Sequence, residues 1–343
     1  MAKLKYEFLA HYYERHGTPL RARLFGDVAR MNARASRFRP LYNWSLKNGV
    51  VRRAMESIVG IDHRRPLPLL ARQTFSEWFA GRKEQRAGKS GAGDLSEAQR
   101  PDRPAVGLFI DTFTEYHYPE VGIAATRVLE AYGYRVRPIS GKCCGRPMIS
   151  KGLLDRAIEN ARENLAMLDA IADRRIPVVG LEPSCLLTFR DEYPDLLPGA
   201  EAKRVAQNCF LLEEFLSPEH EHPNKNLALN PAAQKALFHG HCHLKALVGS
   251  EPSLRMLRGI PGLEVQEIDS GCCGMAGSFG FEKEHYDVSM AIAERRLAPA
   301  VRALAPDALI VAGGVSCRQQ ILHTTGRQPL HPAEVMERAV GDA

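Results

Sequence analysis

The sequence predicts an α/β fold made of two duplicated Cys-Cys-Gly-bearing units with mostly parallel sheets, preceded by a helical N-terminal segment. Three observations carry this reading. From about residue 105 onward, short apolar runs alternate with longer helical stretches, the pattern of βα units. The series occurs twice, because Cys143-Cys-Gly145 superposes on Cys272-Cys-Gly274 at an offset of 129 residues. The first 85 residues instead space their apolar positions as helices do.

In residues 1–85, Leu4, Phe8, Tyr12 and His16 recur at helical spacing, as do Leu24, Val28 and Met31. Pro40, Gly49, Gly60, Pro66 and Pro68 punctuate the segment, so several short helices are expected. Residues 86–104, rich in Lys, Gly, Ser and Arg, read as a linker. The first unit, residues 105–216, opens on the strand Val106–Ile110. A helix around Ile123–Tyr132, the strand Tyr134–Pro138, a long helix Leu153–Ala172 and the strand Pro177–Leu181 follow. A polar connector spans 217–234. The second unit, 235–343, repeats the order with strand Ala236–His239, helix Glu251–Arg258, strand Leu263–Ile268, helix Glu282–Leu297 and strand Ala308–Ala312.

Composition excludes several classes of function. No apolar run approaches the roughly 18–20 residues of a spanning helix, and the N-terminus lacks a signal-peptide core. The expected location is therefore cytoplasmic, with any place at the inner membrane face depending on partners. In that reducing compartment, eight cysteines read as ligands, reactive thiols or core residues rather than disulfides. The first hundred residues carry 20 Lys and Arg against 9 Asp and Glu, and the remainder 26 against 31. This basic third reads as a solvated face or a docking surface for an acidic partner, and no nucleic acid is expected. Neither Gly-x-Gly-x-x-Gly nor Gly-x-x-x-x-Gly-Lys-Ser/Thr occurs, so the usual NAD and ATP loops are not encoded.

The cysteines carry the chemistry. Neighbouring side chains on a strand point to opposite faces, so two adjacent thiols serve one site only where the chain turns. The glycine that follows permits positive φ and lets backbone N–H groups approach sulfur. Each triplet lies between a strand and a long helix, and each has a companion past the next strand. The companions are Pro183-Ser-Cys185 and Val315-Ser-Cys317. The second unit adds Cys242, within His241-Cys-His243. Cys242, Cys272, Cys273 and Cys317 thus fall at the ends of three strands, at the sheet edge where open α/β folds place their sites. Four convergent thiols suit an iron–sulfur cluster or zinc.

The first unit is incomplete. With Phe109 on Phe238, Phe113 falls where Cys242 sits, which leaves Cys143, Cys144 and Cys185. Three thiols suit a cluster with one open or non-cysteine ligand, no metal at all, or redox-active cysteines, and spacing does not choose among them. His241 and His243, alternating on a strand end, are expected to point together, opposite Cys242, as supporting or packing groups. Cys209, at an expected helix start, reads as core. Gly277-Ser-Phe-Gly280 with Glu282–His285 reads either as a polar group beside the second site or as a glycine turn before a solvated helix.

These motifs resemble the cysteine-rich (CCG) domain family, which includes the iron–sulfur component of glycolate oxidase, lactate-utilisation proteins and a component of heterodisulfide reductase. Phe109–Thr114, Ser270–Gly280 and Glu282–Asp287 are similar to the C-terminal part of large FAD-linked oxidases of D-lactate or D-2-hydroxyglutarate dehydrogenase type. Tyr6–Tyr13 is similar to the helix that follows their ferredoxin-like module. The resemblance implies an iron–sulfur electron-transfer module, with a 4Fe-4S cluster as cofactor. It would serve a flavin-linked 2-hydroxy-acid oxidoreductase and would not be catalytic alone. FAD would sit on a partner chain, a dehydrogenase subunit or domain accompanied by a ferredoxin-like module, and quinone is a candidate acceptor. The competing expectation is a zinc-stabilised or metal-free scaffold docking other subunits, and a third is thiol–disulfide catalysis at Cys143 or Cys272. The flavin and ferredoxin-like parts are absent, as in a separate subunit or a truncated frame. Where the fuller pattern ends in Cys-x-x-Cys, Glu182 and Gly314 take the earlier position.

Overall fold

Prolines and glycines cut the N-terminal segment into helices of 7 to 15 residues. The computed structural model describes residues 2–89, 103–217, 220–232 and 234–341. The segment runs Ala2–His16, Leu20–Gly26, Val28–Ala35, Arg39–Lys47, Gly49–Val59 and Phe75–Lys89. Asn48 caps the fifth helix by accepting from the Val50 and Val51 N–H groups, and Gly60 ends it at φ 74°. The last helix begins with a reciprocal cap: Thr74 N donates to Glu77 Oε2 at 2.8 Å, and Glu77 N donates to Thr74 Oγ1 at 3.1 Å. It runs through Lys89, so the boundary expected at residue 85 falls inside a helix. The rest of the expected linker, 90–102, lies outside the described residues. The Leu4, Phe8, Tyr12 stripe faces outward, 69%, 66% and 46% exposed, while Tyr6 turns to the body.

In the first unit, β1 (Ala105–Phe109), β2 (Arg135–Ile139), β3 (Val178–Gly180) and β4 (Cys209–Leu211) form a sheet in the order β2-β1-β3-β4. In the second, β5 (Gln234–Phe238), β6 (Leu263–Glu267) and β7 (Leu309–Val311) pair as β6-β5-β7. Every pairing in both sheets is parallel. Central β1 is buried on both faces, so it reads as a continuous apolar run, whereas edge strand β6 alternates Leu263 in and Glu264 out. Fully buried leucines and valines such as Leu108 and Val106 contribute about 1.5–3 kcal/mol each.

Cys209 begins β4 rather than a helix. The helix Ala200–Asn208 ends there, and the buried thiol lies opposite Val178. In the second unit a single parallel bridge between Val311 and Leu330 stands in the place of β4. The expected helix Glu282–Leu297 starts only at Tyr286, because Glu282 is taken up by an antiparallel bridge to Ile61. The buried Glu282 carboxylate accepts from Lys151 Nζ, lies 3.4 Å from Arg21 and joins the two units to the N-terminal segment.

One apolar core passes through both units, from Val106 and Leu108 to Phe238, Val311 and Met336. The helix Pro332–Val340 packs on Pro119–Ala131 of the other unit. A second core joins Ile268, Cys273 and Cys317 to Ile61 of the N-terminal segment. Arg65 pins that junction. Only 1% exposed, it donates to Gly280 O at 2.9 Å, to Gln320 Oε1 and to Ser289 Oγ at 3.1 Å. Among the described residues no helix is long and apolar enough to cross a membrane.

Candidate metal centre

Parallel pairing aligns the C-terminal ends of β5, β6 and β7, since Phe238 lies opposite both Glu267 and Val311. The three loops leaving those ends carry the second unit's cysteines. Cys242 opens the helix Cys242–Leu247 and is exposed, Cys272 is half-buried, and Cys273 and Cys317 are buried. Cys317 lies in the first turn of the helix Val315–Thr325, where the helix dipole favours an anionic sulfur. Gly274 cannot be replaced freely: it holds φ 92°, and a Cβ there would meet Ser289 O at 2.4 Å. Its N–H donates to Cys272 Sγ at 3.3 Å.

The four sulfurs form a row in which Cys242 touches Cys272, Cys272 touches Cys273, and Cys273 touches Cys317. Neighbouring sulfurs push one another's proton affinity in opposite directions along it. Cys272 is pushed down, first by Cys242 and then by Cys273, and Cys317 is pushed down by Cys273 with His239 and His241 adding to the effect. Cys242 is pushed up by Cys272, and Cys273 by both neighbours. The structure thus brings together all four thiols that the sequence singled out here.

His239 is the residue that sequence reasoning missed. Its ring lies with Cys273 and Cys317 in a buried group whose ligand atoms all fall within 4.8 Å of one another. His241 and His243 do not point together as expected, because a helix rather than a strand begins at Cys242. His241 Nδ1 accepts from His243 N at 3.2 Å and its ring packs against Gly314, whereas His243 faces Asp191 and Glu192. Arg65 is the other omission. Its buried guanidinium lies near Cys273 and places a positive charge beside the row.

The first unit builds the same loops around different chemistry. Cys143 touches Cys144, and Cys144 touches Cys185. They line a cavity of about 340 Å³ together with Asp111, Thr112 and, from the N-terminal segment, Asp27 and Arg30. Asn160 Nδ2 and Tyr193 Oη hold the loop by donating to Cys143 O and Cys144 O, both at 3.1 Å. The expected match of Phe113 to Cys242 is off by one. β1 is followed by Ile110 and the N-cap Asp111, and β5 by His239, Gly240 and the N-cap His241, so Thr112 opens its helix where Cys242 does. The Thr112 side chain reaches the Cys143 thiol.

All three thiols here are pushed up: Cys143 chiefly by Cys144, Cys144 by Cys185 and burial, and Cys185, by burial and the charges of Asp111 and Glu182, to about 12. Asp111 is raised to about 6 by burial and Glu182. Glu182 also links the two sites. Its Oε1 caps the Cys185 helix by accepting from Ser184 N at 3.3 Å and Ser184 Oγ at 2.6 Å, and its Oε2 accepts from Val315 N, at the head of the Cys317 helix, at 2.8 Å.

A family model described as "Cysteine-rich domain" matches residues 111–190 and 236–321, one stretch in each unit and each containing one row of thiols. One component of the anaerobic glycerol-3-phosphate dehydrogenase of Escherichia coli strain K12 is 32% identical over 314 residues, covering 90% of this chain and 74% of that protein. The chain belongs to the cysteine-rich domain family. Within it, D-2-hydroxyglutarate dehydrogenase of the same strain is 27% identical over 330 residues, 96% of this chain but only 31% of that protein. Lactate utilization protein A of Geobacillus kaustophilus strain HTA426 is 32% identical over 183 residues, 51% of this chain and 73% of that protein. The two stretches matched by the cysteine-rich domain model lie one within each βα unit and span the thiol-bearing loops of each.

Proposed function

We propose that this chain is the iron–sulfur electron-transfer module of a flavin-linked dehydrogenase of the 2-hydroxy-acid type. It would take electrons from FAD on a partner chain and pass them to an acceptor such as quinone. The observation that carries the reading is the row of Cys242, Cys272, Cys273 and Cys317, four soft donors converging from three loops. Thiolate is the form that binds metal, and Cys272 and Cys317 are pushed toward it by their neighbours. The donor set fits a 4Fe-4S cluster, which when bound supplies one-electron transfer. Cys242, Cys272, Cys273 and Cys317 would hold it, with Cys143, Cys144 and Cys185 as a second, degenerate site. The chain's own part is to exclude water, to aim the Gly274 N–H at Cys272 and to keep the Arg65 charge near Cys273, all of which set the potential.

The test is anaerobic purification, or reconstitution with iron and sulfide, followed by metal and sulfide analysis and EPR. The expected result is iron and sulfide in matching amounts, broad visible absorbance that dithionite bleaches reversibly, and an EPR signal in the reduced state. One zinc per chain with no sulfide and no redox response would overturn it. That outcome is the second reading, a zinc-stabilised scaffold, and the compact His239, Cys273, Cys317 group favours it because nitrogen and sulfur donors at short range suit zinc.

A further inference from the structure

The geometry points to His239 as a protein ligand of the second site, an imidazole nitrogen that takes one iron in place of one of the four thiolates. This rests on the iron–sulfur reading above and goes beyond it. His239 ends β5 with 1% of its surface exposed. Its Nδ1 is held by Ser270 Oγ at 2.8 Å, while Nε2 is buried with no oxygen or nitrogen partner among the described residues and turns to the Cys317 thiol. Leaving a buried polar atom unpaired costs about 1–3 kcal/mol. A bond to metal would offset that cost, and the sulfurs of Cys273 and Cys317 lie within 4.8 Å of the ring's ligand atom.

The far side of the ring is built as metal-binding histidines are built. Such residues anchor their other nitrogen on an acceptor, which fixes the tautomer and aims the free lone pair. Ser270 does this, and it lies two residues before Cys272, so ring and thiol loop are set by one turn. Ser270 O is itself held by Lys245 Nζ. A cysteine has no room at Gly314, the other backbone position against this ring. A Cβ on Gly314 would lie 2.4 Å from His241 Cδ2, so the His241 ring occupies the space a thiol there would need. The residue matching His239 in the first unit is Ile110, which has no donor, so only the second unit can make this set.

Replacing sulfur by imidazole nitrogen removes negative charge from a cluster and raises its potential. The test uses the full chain labelled with [15N]histidine, purified anaerobically, reduced and examined by pulsed EPR. A strongly coupled histidine nitrogen is expected, with the splitting changed by the isotope. His239→Gln, which retains an N–H donor, loses that coupling, and His239→Cys keeps the iron and sulfide while its midpoint potential falls. Iron and sulfide without nitrogen coupling in the unsubstituted protein overturn this proposal alone. So does a His239→Gln protein with unchanged spectrum and potential, which would make the ring a hydrogen-bond donor only. Absence of iron and sulfide from the unsubstituted protein overturns the functional reading, and this proposal with it. Should a variant not fold, the labelled unsubstituted protein decides the matter by itself.

Discussion

The two units share strand order, loop positions and a Cys-Cys-Gly turn, yet two of the second site's four thiols are pushed toward thiolate and none of the first site's three is. Around the second site stand His239, His241 and Arg65, and Cys272 and Cys317 are pushed down, chiefly by their thiol neighbours. Around the first stand Asp111 and Glu182, and all three of its sulfurs are stabilised as thiols. The backbone therefore supplies a place for sulfur, and the residues flanking the strand ends decide whether that sulfur is ready to bind metal. Metal must displace protons from its ligands, so an acidic surrounding works against loading as surely as a missing cysteine does.

The largest effect should come from removing one thiol in each unit. Cys317→Ala is expected to abolish iron binding at the second site, more than the roughly 10–100-fold lost when a supporting partner is removed. Cys185→Ala should leave that iron in place. Iron and sulfide per chain, measured on both variants, check this, and equal losses would break the distinction drawn between the units.

Next comes Arg65→Met. It leaves Gly280 O and Gln320 Oε1 without their donor and Ser289 Oγ with Gln320 Nε2 at 3.4 Å, at about 1–3 kcal/mol for each buried group left unsatisfied. Urea unfolding should show a loss of about 3 kcal/mol or more. Hydrogen exchange should quicken around residues 280–320 before it does in the first unit.

Thiol reactivity gives a smaller, sharper contrast. In metal-free protein, Cys272 should be alkylated readily at neutral pH. Cys185, raised to about 12, should react only as pH climbs, its thiolate fraction falling about tenfold for each pH unit below that value. Peptide mapping after timed alkylation at several pH values reads this directly, and equal rates would contradict it.

The smallest effect concerns Asp111. Its folded pKa is about 6, above the ordinary 3.8, so the folded state holds the proton more tightly than the unfolded state does. The protonated carboxyl therefore favours folding below the unfolded value, and that contribution is lost as pH rises through about 6. Asp111→Asn keeps an N-cap while removing the charge. It should raise stability at pH 7 by about 1–2 kcal/mol and leave it unchanged near pH 3, as melting temperatures across pH will show.

Much of this was legible in the amino-acid order because it is local. The runs at 105, 178, 236 and 309 are apolar since central parallel strands are covered on both faces, and the paired thiols announce a turn. What escaped depends on contacts between distant residues. β4 has three residues wedged between helices, too few to show a period. Gly240 lengthens one loop by a residue, so superposing the strands put Phe113 rather than Thr112 opposite Cys242. His239 stood next to two more conspicuous histidines, and only the fold shows which ring turns toward sulfur. Arg65 sits in a core, where arginine is rarely found and where nothing in its neighbours along the chain predicts it.

Glu182 carries a consequence for how such a duplicated protein can change. Its carboxylate ties together the heads of two helices, one in each half. Placing cysteine there would add a donor to one site while uncapping the helix that presents Cys317 to the other. The halves are therefore not independent: a donor gained by the poorer site loosens the better one.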